Sequence, residues 1–292
     1  MTTAVTPTVR SLELEIIGKC QARCTHCLAS SGPNGTPGTM TGADWRRVID
    51  QAADCGVKIV QFIGGEPTLH EDLPALVEHA VARGLAVEIY SNLMHVRPAM
   101  WDVFALPGVN LGTSYYSDRA DEHEKIVKVR GSYKRTRANI AEAIHRGIRI
   151  RAGIVRVLPG QRVDQAEAEL RTMGVQHISI DRARPFGRAA AGTAPDPSEL
   201  CGHCTRGRAA VLPDGSVTGC VMSRDWPAGS VHEQPLDAIL TGQRWAEIVD
   251  MVPEPVAGAC TPDDSDDCDP SKTPACDPAY DIAPPPALGV NA

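Results

Sequence analysis

The residues with the most evident chemistry are cysteines. Ten occur in 292 residues. Cys20, Cys24 and Cys27 lie near the start, Cys55 stands alone, and Cys201, Cys204, Cys220, Cys260, Cys268 and Cys276 all follow position 200. In a reducing compartment disulfides are rare, and clustered cysteines are there to ligate metal. The spacing CxxxCxxC puts three thiolates on one short loop. Such a set suits three irons of a cubane cluster and leaves the fourth iron without a protein ligand. Zinc is the alternative, but structural zinc closes its shell with four ligands and favours CxxC pairs. Cys55, in QAADCG, reads as a small apolar residue at a helix end.

GKCQARCTHC follows directly on the strand-like run Ser11–Ile17, and Gly64-Gly65-Glu66-Pro67 follows a second run, Lys58–Ile63. Together these motifs resemble those of the radical S-adenosylmethionine (SAM) superfamily, whose signature is CxxxCxφC, with GGEP further along. The resemblance implies that SAM chelates the open iron of a [4Fe–4S] cluster through its amino and carboxylate groups. An electron from the reduced cluster then breaks a C–S bond to give a 5′-deoxyadenosyl radical. It also implies that His26, at φ, packs near the adenine and that Gly64, Gly65, Glu66 and Pro67 contact the amino group of SAM. Weaker echoes are Ser91-Asn92, Ser114 and Arg151, where relatives touch the ribose or carboxylate. Each has a plainer reading beside it: Asn92 closing a turn, Ser114 capping a helix, Arg151 pairing with a carboxylate.

In LPDGSVTGC, the spacing of Cys204, Gly215 and Cys220 resembles the opening of a C-terminal extension called SPASM, or twitch in its shorter form. Cys201 adds a CxxC with Cys204, and Cys260, Cys268 and Cys276 follow at even eight-residue steps. The full SPASM pattern is not reproduced. Two fully cysteine-ligated clusters need eight thiolates, and six follow position 200. The expectation is at least one auxiliary cluster drawing on these six residues and anchored by Cys201, Cys204 and Cys220, with a zinc knuckle as the alternative. The stretch CTPDDSDDCDP lacks the Gly and Glu that a calcium loop requires.

These motifs need elements to position them. Strand-like runs at Ser11–Ile17, Lys58–Ile63, Leu85–Tyr90, Val109–Thr113, Ile148–Val157 and Val175–Asp181 alternate with helical stretches. One of those helices has Thr41 as N-cap, with Asp44 three residues on. Others fall near Asp72–Arg83, Arg97–Phe104, Tyr133–Arg146 and Asp164–Thr172. Such alternation implies βαβ units and a parallel sheet. The fold class is α/β, a partial (β/α)6 radical SAM barrel with a small Cys-rich C-terminal extension and chemistry at the C-terminal strand ends. After the linker AAAGTAPDPSEL the periodicity fades, so metal would have to fold the remainder. The expected division is a core over 1–192, an auxiliary Fe–S region over 193–281 and a disordered tail over 282–292.

An apolar content of 42% with 22% charged residues belongs to a globular chain. Seven Asp and one Lys between Thr261 and Asp281 supply −6 of the formal −7 charge, which leaves no basic surface for nucleic acid. No apolar run is long enough for a signal peptide or a membrane span, so a cytoplasmic protein is expected. Tyr115, Tyr116, Asp181 and Arg182 stand near the barrel mouth without forming an acid/base constellation, and the catalytic residues are left unassigned. The resemblance implies an enzyme that modifies a ribosomally made peptide by cross-linking, epimerisation or oxidation. Its partners would be a reductase, ferredoxin or flavodoxin as electron donor and a precursor peptide, whose leader would be recognised by a separate leader-binding protein or by the barrel itself, since the first strand begins near residue 11. The alternatives are a dehydrogenase acting on an aminosugar or cyclitol, and an Fe–S scaffold or sensor that does not cleave SAM.

Overall fold

The computed structural model describes residues 9–255, so Cys260, Cys268, Cys276 and the expected tail lie outside the described residues. Chain order runs β1 (Ser11–Glu15), α1 (Gly42–Asp54), β2 (Ile59–Ile63), α2 (Leu73–Ala82), β3 (Ala86–Tyr90), α3 (Pro98–Phe104) and β4 (Val109–Ser114). It continues with α4 (Ala120–Val127), α5 (Ser132–His145), β5 (Ile150–Arg156), α6 (Val163–Met173) and β6 (His177–Arg182). The chain then adds β7 (Arg208–Val211), β8 (Ser216–Thr218), β9 (Gly229–Ser230), α7 (Leu236–Leu240) and α8 (Gln243–Met251). One sheet holds all nine strands in the order β6-β5-β4-β3-β2-β1-β7-β8-β9. The first six are parallel, β7 continues the parallel set beside β1, and β8 and β9 return antiparallel. The α/β class and the partial (β/α)6 arrangement are thus as the alternation implies.

The two sheet faces differ because strand side chains alternate. Leu12 and Leu14 of β1, Val60 and Phe62 of β2 and Val87 and Ile89 of β3 join Trp45, Ile49, Leu73 and Leu76 of the helices in the main core. The opposite face is polar. Glu13 is level with Gln61, and Gln61 with Glu88, and all three are buried. Gln61 donates to Glu88, and Arg151 of β5 forks onto the same carboxylate at 2.7 Å through both Nε and Nη2. Buried charge is tolerated where it is paired and hydrogen-bonded in this way.

The structure departs from the expectations in two places. A helix, α4, precedes α5 where none was expected; its eight residues carry four charges and a half-turn apolar stripe too short to register as periodic. The segment after residue 188 does not depend on metal alone for its order. Val211, Val217, Leu236, Ile239 and Trp245 are buried in the same core as the barrel. Elements of two to nine residues show no period in the sequence, and their apolar residues complete an existing core instead of building a second one.

At the start of α1, Thr41 and Asp44 form the expected capping box: the Asp44 amide donates to the Thr41 hydroxyl at 3.2 Å, and the Thr41 amide to the Asp44 carboxylate at 2.9 Å. The Thr41 hydroxyl, which donates to the carboxylate at 2.6 Å, and after it the Thr41 amide hold the Asp44 carboxyl down to about 2, below its ordinary 3.8. A depressed folded-state pKa stabilises the fold above the unfolded value and is lost as pH falls through the folded one. Thr41→Ala should lower unfolding free energy by about 1 kcal/mol in urea titrations at neutral pH. The stability gap between wild type and Asp44→Asn should be constant above pH of about 4 and vanish towards about 2.

Candidate functional site

Between β1 and α1 the chain runs from Ile16 to Thr41 with no helix or strand, and its only ladder contact is the bridge between Lys19 and Gly32. This loop carries Cys20, Cys24 and Cys27, and neighbours hold it from several sides. Arg23 and Thr25 donate backbone N–H to the carbonyls of Val127 and Ile126 at the end of α4, at 3.3 and 3.0 Å. Ala22 packs on the same two side chains. From β2, Gly65 N–H donates to Ile17 O at 2.6 Å and Glu66 N–H to Lys19 O at 2.9 Å. A Cβ at Gly64 or Gly65 would collide with the carbonyl oxygens of Ile17 or Lys19, so the two glycines serve the packing of one loop on another.

The three thiols line one cavity of about 290 Å³ at the C-terminal strand ends, together with His26, Gly64, Gly65, Asn92, Ser114, Tyr90, Tyr116, His123 and Arg188. Burial first, and the neighbouring sulfurs after it, push the Cys24 thiol up to about 12; burial pushes Cys20 to about 11. Thiolates at Cys20 and Cys24 therefore require a cation beside them, and the donor set fits a cluster. Among the described residues no three His, Cys, Asp or Glu side chains close around a single ion, whereas a cubane takes one thiolate per iron. His26 stands edge-on to Tyr116 with ring centroids 5.1 Å apart. Burial lowers its pKa to about 4, so the ring is neutral at pH 7, and its buried Nδ1 has no hydrogen-bond partner. An orphaned nitrogen on a cavity wall fits a ligand bound beside it.

The sequence-expected residues divide on this geometry. Asn92 faces the cavity: its Nδ2 lies 3.8 Å from the Cys20 sulfur, and its Oδ1 accepts from Gln21 at 3.2 Å. Ser114 lies 3.3 Å from the Tyr90 hydroxyl. Glu66 and Pro67 lie behind the wall, both buried. The Glu66 carboxylate accepts from Thr68 N–H, the Thr68 hydroxyl, the Ser91 hydroxyl and the Asn92 N–H, at 3.2, 2.7, 2.7 and 2.9 Å. It thereby ties the turn after β2 to the turn after β3 and aims Asn92. Arg151 is engaged by Glu88, with its guanidinium 5.2 Å from the centre of the Tyr90 ring. Of the four mouth residues only Tyr116 lines the cavity. The Tyr115 hydroxyl donates to Glu169 at 2.6 Å, Asp181 pairs with Arg184, and Arg182 with Glu199.

Tyr90, His123 and Arg188 also line the cavity and carried no signal at sequence level. His123 belongs to the unexpected α4; it is buried neutral, its pKa lowered to about 4 by burial, with Nδ1 unpartnered. In the C-terminal segment the sulfurs of Cys204 and Cys220 are brought together as a disulfide across the β7–β8 hairpin, with Cα atoms 5.1 Å apart. Both lie in an apolar cluster with Phe186, Leu200, Ile248 and Val252. Two buried sulfurs converging on one point also suit a shared cluster once reduced. Cys201 is half-buried nearby in sequence and outside the disulfide.

This arrangement defines an α/β fold in which three thiols from one loop and a neutral, orphaned imidazole converge on one cavity at the C-terminal strand ends. Residues 14–173, more than half of the chain, match the Radical SAM superfamily, and the chain belongs to it. Membership brings with it SAM and a [4Fe–4S] cluster. Residues 198–269 match the iron–sulfur cluster-binding domain SPASM, which brings auxiliary Fe–S chemistry. Among curated proteins, the PqqA peptide cyclase of Xanthomonas euvesicatoria pv. vesicatoria (strain 85-10) is 41% identical over 91 residues, 31% of this chain and 23% of that protein. The AdoMet-dependent heme synthase of Methanosarcina barkeri is 27% identical over 138 residues, 47% of this chain and 40% of its own. The matched part thus spans about a quarter of the cyclase. Among solved structures, Streptococcus suis SuiB bound to S-adenosylmethionine superposes with a TM-score of 0.69 at 14% identity, covering 82% of this chain and 68% of that one. The anSMEcpe structure with bound AdoMet and the Cp18Cys peptide gives 0.63 at 13%, covering 82% of each. At these identities they establish the fold.

Glu66 generates a test independent of any cofactor. In Glu66→Gln an amide N–H₂ must face one of four donors that now share a carboxylate, so the apo-protein should lose about 1–3 kcal/mol of unfolding free energy, measured by urea titration.

Proposed function

We propose that the chain is a peptide-modifying radical SAM enzyme in which Cys20, Cys24 and Cys27 hold the [4Fe–4S] cluster whose fourth iron takes SAM. The observation that carries the site is the convergence of three thiols, one buried and two half-buried, and an orphaned imidazole nitrogen on one cavity. The peptide substrate is supported by the 41% identity to PqqA peptide cyclases together with the SPASM match. The bound cluster and SAM supply a 5′-deoxyadenosyl radical able to abstract hydrogen from an unactivated carbon. The chain's own residues bind, orient and exclude water. Gly64, Gly65, Asn92 and Ser114 line the part of the wall nearest SAM, and His26 with Tyr116 forms its aromatic side. Glu66 acts behind that wall by fixing Asn92, with Pro67 buried next to it in the same turn, and Arg151 acts by holding Tyr90.

In this reading residues 1–192 form the core and 193–281 the auxiliary region, with Cys201, Cys204 and Cys220 as ligands and Cys260, Cys268 and Cys276 available as further ones. Held by these residues, an auxiliary cluster would supply an acceptor for the electron left when a substrate is oxidised. A ferredoxin, flavodoxin or reductase supplies electrons, and a separate protein recognises the leader of the precursor. No helix among the described residues is long and apolar enough to cross a membrane, which supports a cytoplasmic setting.

Anaerobically reconstituted protein with dithionite and SAM should release 5′-deoxyadenosine, and changing Cys20, Cys24 and Cys27 together to Ala should abolish the release while leaving iron on the later cysteines. Cleavage retained in the triple variant would overturn the cluster assignment. A precursor peptide encoded beside this gene should change mass on incubation. Turnover of aminosugars or cyclitols with no change in any such peptide would reverse the substrate assignment.

A further inference from the structure

The cluster loop is gripped from a third side by the turn that leaves β6. Arg188 Nε donates to Cys24 O at 2.8 Å, its Nη2 to Ser31 O at 2.6 Å, and its backbone N–H to Cys27 O at 3.0 Å. All three acceptors belong to the segment that carries the cysteines. Gly187, at φ +54°, presses so close that a Cβ there would strike the carbonyls of Cys27 and Leu28. Phe186, one residue earlier, packs in the apolar cluster that contains Cys204 and Cys220, with Leu28 against it. Arg188 lines the same cavity as the three thiols, and its guanidinium carries a permanent charge.

We propose that Arg188 is a positioning residue for the SAM-binding cluster: it fixes the cysteine loop and, as a fixed cation beside three thiolates, raises the reduction potential of the cluster. Adding one electron makes an already anionic thiolate-bound cluster more negative. A nearby half-buried cation favours that more charged state, because water reaches only part of it and screens the interaction incompletely. The hydrogen bonds to Cys24 O and Ser31 O keep the charge at constant position through the redox step. Lys at this place would retain the charge but could not fork between two carbonyls. The inference rests on the assignment of the cluster to Cys20, Cys24 and Cys27. Its test is chosen so that the two fail differently.

Full-length protein is reconstituted anaerobically and titrated with dithionite under EPR, using Arg188→Lys, Arg188→Met, Arg188→Gln and wild type. The Cys20, Cys24, Cys27 triple Ala variant identifies which signal belongs to this cluster, and a signal unaffected by that change would sink the assignment and not the role of Arg188. At the potential where wild type is half reduced, the reduced-to-oxidised ratio should fall at least tenfold in the Met and Gln variants, which is 59 mV for a one-electron couple. It should stay within about threefold in Arg188→Lys. Loss of the cluster from both neutral variants but not from Arg188→Lys supports the charge requirement equally. An unchanged ratio in the fully loaded neutral variants overturns the proposal. So does an equal fall, or an equal loss of iron, in the Lys variant, since loop geometry would then explain everything.

Discussion

A loop with almost no regular hydrogen bonding must hold three sulfurs on one side of a cavity, and much of the surrounding structure answers to that constraint. The run between β1 and α1 has one bridge of its own. Its order is borrowed from the turn after β2, from the end of α4, and from the turn after β6. These three neighbours bond to backbone carbonyls or amides and not to a sulfur; the contacts on the Cys20 sulfur come from the Ala22 N–H and from Asn92 Nδ2. Long loops of this kind in a compact domain are functional when they are pinned from outside.

The polar face of the sheet solves a second problem, the attachment of the C-terminal segment. Beyond the parallel pairing of β7 with β1, Glu13 accepts from Val221 N–H at 2.8 Å and pairs with Arg208, and Glu15 pairs with Arg224 at 2.6 Å. Glu15 and Val221 both border the cavity. Burial raises the Glu15 pKa, and Arg224 opposes that rise. The auxiliary segment is therefore a wall of the site and not an appendage beside it.

The sequence made the cysteine loop and the GGEP turn legible because both encode their geometry in residue type and close spacing. Six strands and most helices were legible for the same reason that amphipathic patterns are, since each element is long enough to repeat. What escaped lies in short elements and in distant pairings. α4 supplies His123 and the carbonyls that anchor the cysteine loop, yet its own pattern is dominated by charge. Arg188 sits 164 residues from Cys24, and no local signal connects them. The link from Glu66 to Ser91 and Asn92 also escaped, because it depends on where four donors from two turns converge.

The position of β7 in the sheet has a consequence in time. Ser11 pairs with Ile59 on one side and with Arg208 on the other, so β1 is an interior strand whose second neighbour is made 197 residues after it. At translation rates of roughly 5 to 20 residues per second, β1 stands on the order of 10 to 40 s with this edge unpaired while the rest of the barrel is made. An open strand edge is a template for association with other chains. During the same interval the cysteine loop lacks Arg188 and the hairpin wall, so its thiols face water. The open edge and the cysteine loop are therefore covered by the same late stretch of chain, the turn after β6 and the strand β7.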